Sequence, residues 1–317
     1  MIIDAMKRFD FVALGEPMVE FNQTHPDRPD YLQGFGGDTS NATLAAARAG
    51  ARTAYLSRLG DDTWGRALLA LWAQEGVNTE AVAIDATAPT GVYFVTHGAQ
   101  GHEFSYLRAG SAASRMTPEN LSAASRQAIQ DAHWLHVSGI SMAISTSACD
   151  TVLAAMAWAR SCGTQVSLDA NLRLKLWPLS RAQACLKQAI TLCDLFLPSE
   201  DEVKPLMGAE DPLAVLDWAQ QLGARQVVLK RGAGGAVVRS GAHQFEVGGH
   251  AVRLVDATGA GDCFAGNLLT RLAQGDAWPE AVRYANAAAA LSVQGFGAVA
   301  PLPRPPQVRE LLSQVPA

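Results

Sequence analysis

The chain has 317 residues, 49% hydrophobic and 17% charged, a composition that buries a large core and suits one big α/β unit. Its formal net charge of −5 argues against a nucleic-acid or anionic-membrane binder, so an anionic ligand must be met by a local cluster of cations or backbone amides. Five cysteines, odd in number and never spaced as Cys-x-x-Cys, argue against a disulfide framework or a zinc site and fit a reducing cytoplasm.

Lys7 and Arg8 are followed by no apolar signal region, and no apolar run approaches the roughly 20 residues that span a bilayer, so the chain reads as soluble. Short β-like runs then alternate with helical ones. Phe11–Leu14 predicts a strand, Ser40–Ala49 a helix stopped by Gly50, and Thr53–Leu59 another strand. His133–Val137, Gln165–Leu168, Asp194–Leu197 and Gln226–Lys230 are further strands, each followed by a helical stretch. Such alternation implies a doubly wound, mostly parallel sheet between helices. Gly91–His97 and His102–Arg108, joined by Gly98-Ala-Gln-Gly101, break the rhythm and read as an antiparallel hairpin, a candidate lid. Pro301-Leu-Pro-Arg-Pro-Pro306 is a final turn before a short closing helix. The whole of 1–317 reads as one unit, with lid strands from about 16–35 and 90–109.

The chemistry is carried by Asp256-Ala-Thr-Gly-Ala-Gly-Asp262, which precedes the helical run Cys263–Leu272. Glycines at 259 and 261 let backbone N–H groups turn inward where a helix begins, and that terminus offers unpaired donors and the positive end of a dipole. Gly259, Ala260 and Gly261 thus form an anion hole for a transferring phosphoryl group. Asp262, in the first turn, is placed to accept the proton of an attacking hydroxyl, with the low pKa expected at a helix N-terminus. A bare glycine pair would be no more than a tight turn with a capping acid, whereas the full string is specific.

That string resembles the second signature of the ribokinase/PfkB carbohydrate kinases, and Gly36-Gly-Asp-Thr-Ser-Asn41 before an Ala-rich helix resembles the first. The resemblance runs from about Gly15 to about Gly297 and implies ATP and Mg²⁺ as cofactors. It assigns Gly37, Asp38, Thr39, Ser40 and Asn41 to the sugar. Lys230 with Gly232, Gly234 and Gly235, together with Asn171, Arg173, Ser199, Gly259, Gly261 and Asn286, falls to ATP. Where related kinases carry Asn-x-x-Glu this chain has Ser199-Glu-Asp-Glu202, which leaves Glu202 to hold Mg²⁺ through water; a plain helix cap is the competing reading. A monovalent cation near Asp256 and Thr258 and a homo-oligomer paired through the lid, dimeric or larger, are also implied.

Three strings resemble the branch that phosphorylates 2-keto-3-deoxygluconate. They are Glu20 in Gly15-Glu-Pro-Met-Val-Glu-Phe21, the run Tyr106-Leu107-Arg108-Ala-Gly-Ser-Ala-Ala-Ser114, and Asp169-Ala-Asn171-Leu-Arg173 with Leu176-Trp177. A sugar acid needs compensating charge, for which Arg108 and Arg173 are the candidates, and Tyr93 and Tyr106 would shield the site. A fructokinase or other neutral-sugar kinase stays open, as does a non-catalytic sensor on the same scaffold. A dehydrogenase is disfavoured, because Gly15-Glu-Pro-Met supplies no glycine-rich turn after the first strand. His133, His136, Cys263, Asp61 and Asp62 read as packing or turn residues.

Overall fold

The computed structural model describes residues 7–25, 27–98 and 101–314. The strands, in chain order, are β1 (Phe9–Leu14), β2 (Met18–Gln23), β3 (Tyr31–Gly36), β4 (Thr53–Gly60), β5 (Val82–Asp85), β6 (Gly91–Gly98) and β7 (Gly101–Leu107). They continue with β8 (Ala132–Ser138), β9 (Gln165–Asp169), β10 (Leu195–Leu197), β11 (Gln226–Lys230), β12 (Ala236–Ser240) and β13 (His243–Val247). Nine of them form one sheet in the order β13-β12-β11-β10-β9-β8-β1-β4-β5. Every pairing from β11 to β5 is parallel, whereas β12 and β13 add an antiparallel edge.

Side-chain alternation on the central strands explains why helices cover both faces. Val12, Leu14, Leu135, Val137, Val166 and Leu168 point into one core with the helices Thr146–Ser161 and Leu179–Ile190. Phe11, Ala13, Tyr55 and Trp134 point into the other, beneath the helices Asp38–Arg48, Ala260–Ala273 and Trp278–Ser292. The helix expected from Ser40 starts at Asp38, because Gly37 takes φ +97° and turns the chain into it.

The remaining four strands form a small sheet, β3-β2-β6-β7, in which β2 and β6 run parallel. The expected hairpin is therefore half of a larger element; Ala99 and Gln100 of its turn lie outside the described residues. Registers place Glu20 beside Tyr93 and Tyr93 beside Tyr106, one row on one face. The opposite face carries Phe21 and Phe94, stacked at 5.2 Å, with Phe21 edge-on to Trp64 at 5.4 Å.

The two signature helices, Asp38–Arg48 and Ala260–Ala273, touch through Gly266, where an added Cβ would strike the Ala42 carbonyl and the Ala45 side chain. Gly266→Val is expected to cost about 1–3 kcal/mol by overpacking, measured as a fall in Tm. An unchanged Tm would mean that this contact does not set the distance between the helices.

Candidate active site

Parallel strands bring their carboxyl ends to one edge, and Glu16, Asp169, Ser199 and Lys230 lie at or just past four such ends. Above them lies a cavity of about 660 Å³, walled on one side by 256–262 and on another by Met18, Tyr93, Phe104 and Tyr106 of the small sheet.

Gly259 enters the helix at φ +77°, a conformation that favours glycine, and an added Cβ would sit tightly 3.1 Å from the Ala298 side chain. At Gly261 the position a Cβ would take is 3.4 Å from Lys230 Nζ. Asp262 follows, half-buried, with Oδ2 accepting from Asn41 Nδ2 at 2.8 Å. Its pKa corrects the expectation of a strong acid. Burial first, then the Asp38 and Asp169 charges, push the carboxyl up to about 8, against the opposing effects of Asn41 and Lys230. The helix terminus does not offset that crowding.

The first signature divides in two. Asp38 and Asn41 line the cavity and are buried. Asp38 Oδ2 accepts from Asn171 Nδ2 at 3.2 Å, while Asp38 Oδ1 and Asn41 Oδ1 find no hydrogen-bond partner among the described residues. Thr39 and Ser40, expected at the sugar, instead face the core: Thr39 Oγ1 bonds Tyr55 Oη at 2.8 Å, and Ser40 Oγ accepts from Trp72 Nε1 at 3.2 Å. Helical spacing turns these two away when Asp38 and Asn41 point inward. Gly37 lines the cavity, and any side chain there would meet the Glu16 carbonyl, while one at Gly36 would meet the Tyr93 ring.

On the opposite wall Asn171 sits at φ +32°, a conformation asparagine tolerates, with its N–H donating to Asp169 Oδ1 at 3.1 Å. Lys230 is no surface residue; its ammonium is enclosed and donates to Asp169 Oδ2 at 2.6 Å. Glu202 is buried, with Oε1 accepting the Leu172 N–H at 2.6 Å and Oε2 the Ser199 N–H at 2.8 Å. The capping role is thus physically present, while the same side chain also lines the cavity. Burial raises its pKa to about 7. Arg173 lines the cavity half-exposed, with Nη1 3.9 Å from Glu202 and 3.0 Å from the Leu172 carbonyl.

Arg108 also lines the cavity, but its charge is already engaged. Nε donates to Glu16 Oε2 at 2.7 Å, Nη2 pairs with the same oxygen, and Ser111 donates to Glu16 Oε1. Its guanidinium lies 5.7 Å from the Tyr106 ring centre. Tyr93 donates its hydroxyl to Glu20, which burial keeps above the usual carboxylate pKa, so this acid is bound within the small sheet. Leu107 is exposed and lies outside the cavity wall.

Of the glycines expected along ATP, Gly259 and Gly261 line the cavity, whereas Gly232, Gly234 and Gly235 lie outside that wall. Gly232–Gly234 form a single 3₁₀ turn linking β11 to β12, and Gly235, at φ +86°, packs against the Val247 carbonyl. Asn286 donates to the carbonyls of Val247 at 3.2 Å and Gly248 at 3.1 Å, fixing the same neighbourhood. Asp256 accepts from Thr258 N at 2.9 Å, Thr258 Oγ1 at 2.7 Å and Gly297 N at 2.9 Å. Glu16 and Asp169 escaped the sequence reading, although each stood inside a string it singled out.

The residues set aside stay aside. His136 is buried against Ser167, its pKa lowered by burial to about 4; Asp62 caps the following helix; and burial pushes the Cys263 thiol up to about 12.

A sheet of this topology with an acid beside a glycine-turned helix terminus and an enclosed lysine is an arrangement suited to phosphoryl transfer. The profile of the pfkB family carbohydrate kinases matches residues 1–305, and the chain belongs to that family. It is 33% identical to a 2-dehydro-3-deoxygluconokinase of Thermoproteus tenax, over 95% of this chain and 93% of that one. It is 32% identical to a fructokinase of Solanum tuberosum, over 95% of each. A double-mutant fructokinase of Vibrio cholerae, crystallised with fructose, ADP and potassium, superposes with a TM-score of 0.86 at 30% identity, covering 96% of this chain and 99% of that one.

Asp262→Asn is expected to raise Tm, by an amount that grows as pH rises from about 4 towards 8. The folded carboxyl keeps its proton up to about 8, whereas the unfolded one loses it near the ordinary 3.8, so its ionisation opposes folding across that window. A Tm difference that shrank with rising pH would contradict the assignment.

Proposed function

We propose that this kinase transfers the γ-phosphoryl group of ATP to the terminal (C6) hydroxyl of 2-keto-3-deoxygluconate, giving the 6-phosphate. The observation that carries a hydroxyl-bearing acceptor is the pair of buried oxygens, Asp38 Oδ1 and Asn41 Oδ1, left without a hydrogen-bond partner among the described residues, beside Asp262 in the common cavity. Buried acceptors without donors are costly, and a polyol supplies the donors. In this reading Asp262 takes the hydroxyl proton as the oxygen attacks the γ-phosphorus. The bond to the β–γ bridging oxygen breaks, its electron pair leaves with ADP, and the amides of 259–261 face the charge in transit.

Magnesium, when bound, neutralises phosphate charge. Among the described residues no group of three or more His, Cys, Asp or Glu is arranged to ligate a metal directly. A largely hydrated ion reached through Glu202, whose carboxylate is held towards the cavity by two backbone N–H groups, suits that arrangement. The reading also includes a monovalent cation near Asp256 and Thr258, the potassium of the Vibrio fructokinase being its support. It further includes a dimer or larger assembly paired through the small sheet, whose edge strand exposes Tyr31 and Leu32. A cytoplasmic setting fits the five free cysteines. Among the described residues no helix is long and apolar enough to cross a membrane.

The acidic acceptor rests on Arg173 and Arg108 lining one cavity, with Lys175 beside them. A neutral ketose is the second reading, and one observation favours it: Glu16 already balances Arg108. Arg173 gives the cleaner test, because removing Arg108 would leave Glu16 buried without its partner and cost about 3–5 kcal/mol of stability. Arg173→Ala is expected to lower kcat/KM for 2-keto-3-deoxygluconate roughly tenfold to a hundredfold, with Lys rescuing only in part and fructose turnover changing far less. Parallel loss on both acceptors would assign Arg173 to the nucleotide. Asp262→Asn is expected to lower kcat by roughly 10² or more while ATP still binds. Turnover within a few-fold of the parent would remove Asp262 as the base.

A further inference from the structure

Asp169 has no place in the chemistry described so far, yet it ends β9 at the floor of the cavity and is buried. Both of its oxygens are committed, one to the Asn171 N–H at 3.1 Å and one to Lys230 Nζ at 2.6 Å. The first bond ties the carboxylate to the backbone turn after β9, so the second fixes the end of an otherwise flexible four-carbon side chain. Lys230 comes from the end of β11, with β10 lying between the two strands. Its ammonium reaches back to the glycine loop, 3.4 Å from where a Gly261 side chain would begin. Glu202 and Asp262 are near enough to act on the lysine's charge, but the hydrogen-bonded partner is Asp169. An ammonium has three donors; one serves Asp169, and two are left for a ligand in the cavity.

We propose that Asp169 is a positioning residue that holds the Lys230 ammonium at the seat of the transferring phosphoryl group, with two N–H donors aimed at its oxygens. This rests on the kinase reading above. Without Asp169 the lysine can swing to Glu202 or to Asp262, where it would leave the phosphate and neutralise the base. Position, rather than added charge, is the contribution, since the Asp169–Lys230 pair is itself neutral.

The test compares ATP with ADP, each with Mg²⁺, by isothermal titration calorimetry, and needs no sugar. Lys230→Met is expected to weaken ATP about tenfold, the scale of one charge-assisted hydrogen bond, and ADP by less than about threefold. Asp169→Glu keeps the charge but displaces the ammonium, and should lose part of the ATP preference. Adding Asp169→Asn to Lys230→Met removes both buried charges together, and should change ATP affinity less than about twofold beyond Lys230→Met alone. Where the wild type turns over a sugar, Asp169→Glu should lower kcat with the sugar KM nearly unchanged, a split that loss of folded protein would not give. The proposal is overturned if the double variant loses ATP affinity well beyond Lys230→Met. It is overturned equally if Asp169→Glu weakens ATP and ADP alike or leaves both unchanged. A wild type that binds neither nucleotide would instead refute the kinase reading, and so is distinguishable from failure of the Asp169 assignment.

Discussion

Crowding of carboxylates governs this site. Asp38, Asp169, Glu202 and Asp262 share one cavity, with the Lys230 ammonium set among them. Ionising all four acids in a half-closed space is unfavourable, and burial accordingly lifts Asp38, Glu202 and Asp262 above the usual carboxylate range. That disfavoured charge suits a site which receives cations and hydroxyl donors together. In the proposed reaction a hydrated divalent ion and a polyol would add cation and donors to those the lysine already gives, so the acids, Asp262 among them, would ionise more fully as the ligands assemble. The parallel sheet makes the crowding possible, because strands far apart in sequence end side by side.

Much of this was legible in the chain. The alternation of short apolar runs and helices gave the central parallel strands, and the glycine-rich string before Cys263 gave the helix terminus with its acid. Other features were hidden for physical reasons. Within Gly36–Asn41 the residue types do not reveal which side chains face inward; only the helix phase separates Asp38 and Asn41 from Thr39 and Ser40. The pKa of Asp262 depends on Asp38 and Asp169, more than 90 residues away in each case, and no local pattern announces them. The antiparallel edge of β12 and β13 follows a glycine-rich turn that reads equally well as a ligand loop.

Discrimination among acceptors turns on how the cations are spent. Arg108 is held by Glu16, which also accepts from Ser111, a buried arrangement that fixes the wall between the small sheet and β1. Such a pair holds geometry more than it offers net charge. Arg173, by contrast, has among the described residues only the 3.9 Å approach of Glu202 as an ion pair and keeps its guanidinium half in solvent. The sugar-acid reading thus leans on Arg173 for charge and on Arg108 for a fixed planar edge beside Tyr106. Relatives that act on a sugar acid and on fructose stand at nearly equal identity to this chain, so the choice rests on those side chains.

The most direct measurement is a competition. Equal amounts of 2-keto-3-deoxygluconate and fructose are offered with ATP and Mg²⁺, and the phosphorylated products are followed by ³¹P NMR. The account requires the 6-phosphate of the sugar acid to accumulate well ahead of any fructose phosphate. Preferential formation of fructose phosphate, or ATP left unconsumed with both sugars present, would contradict it.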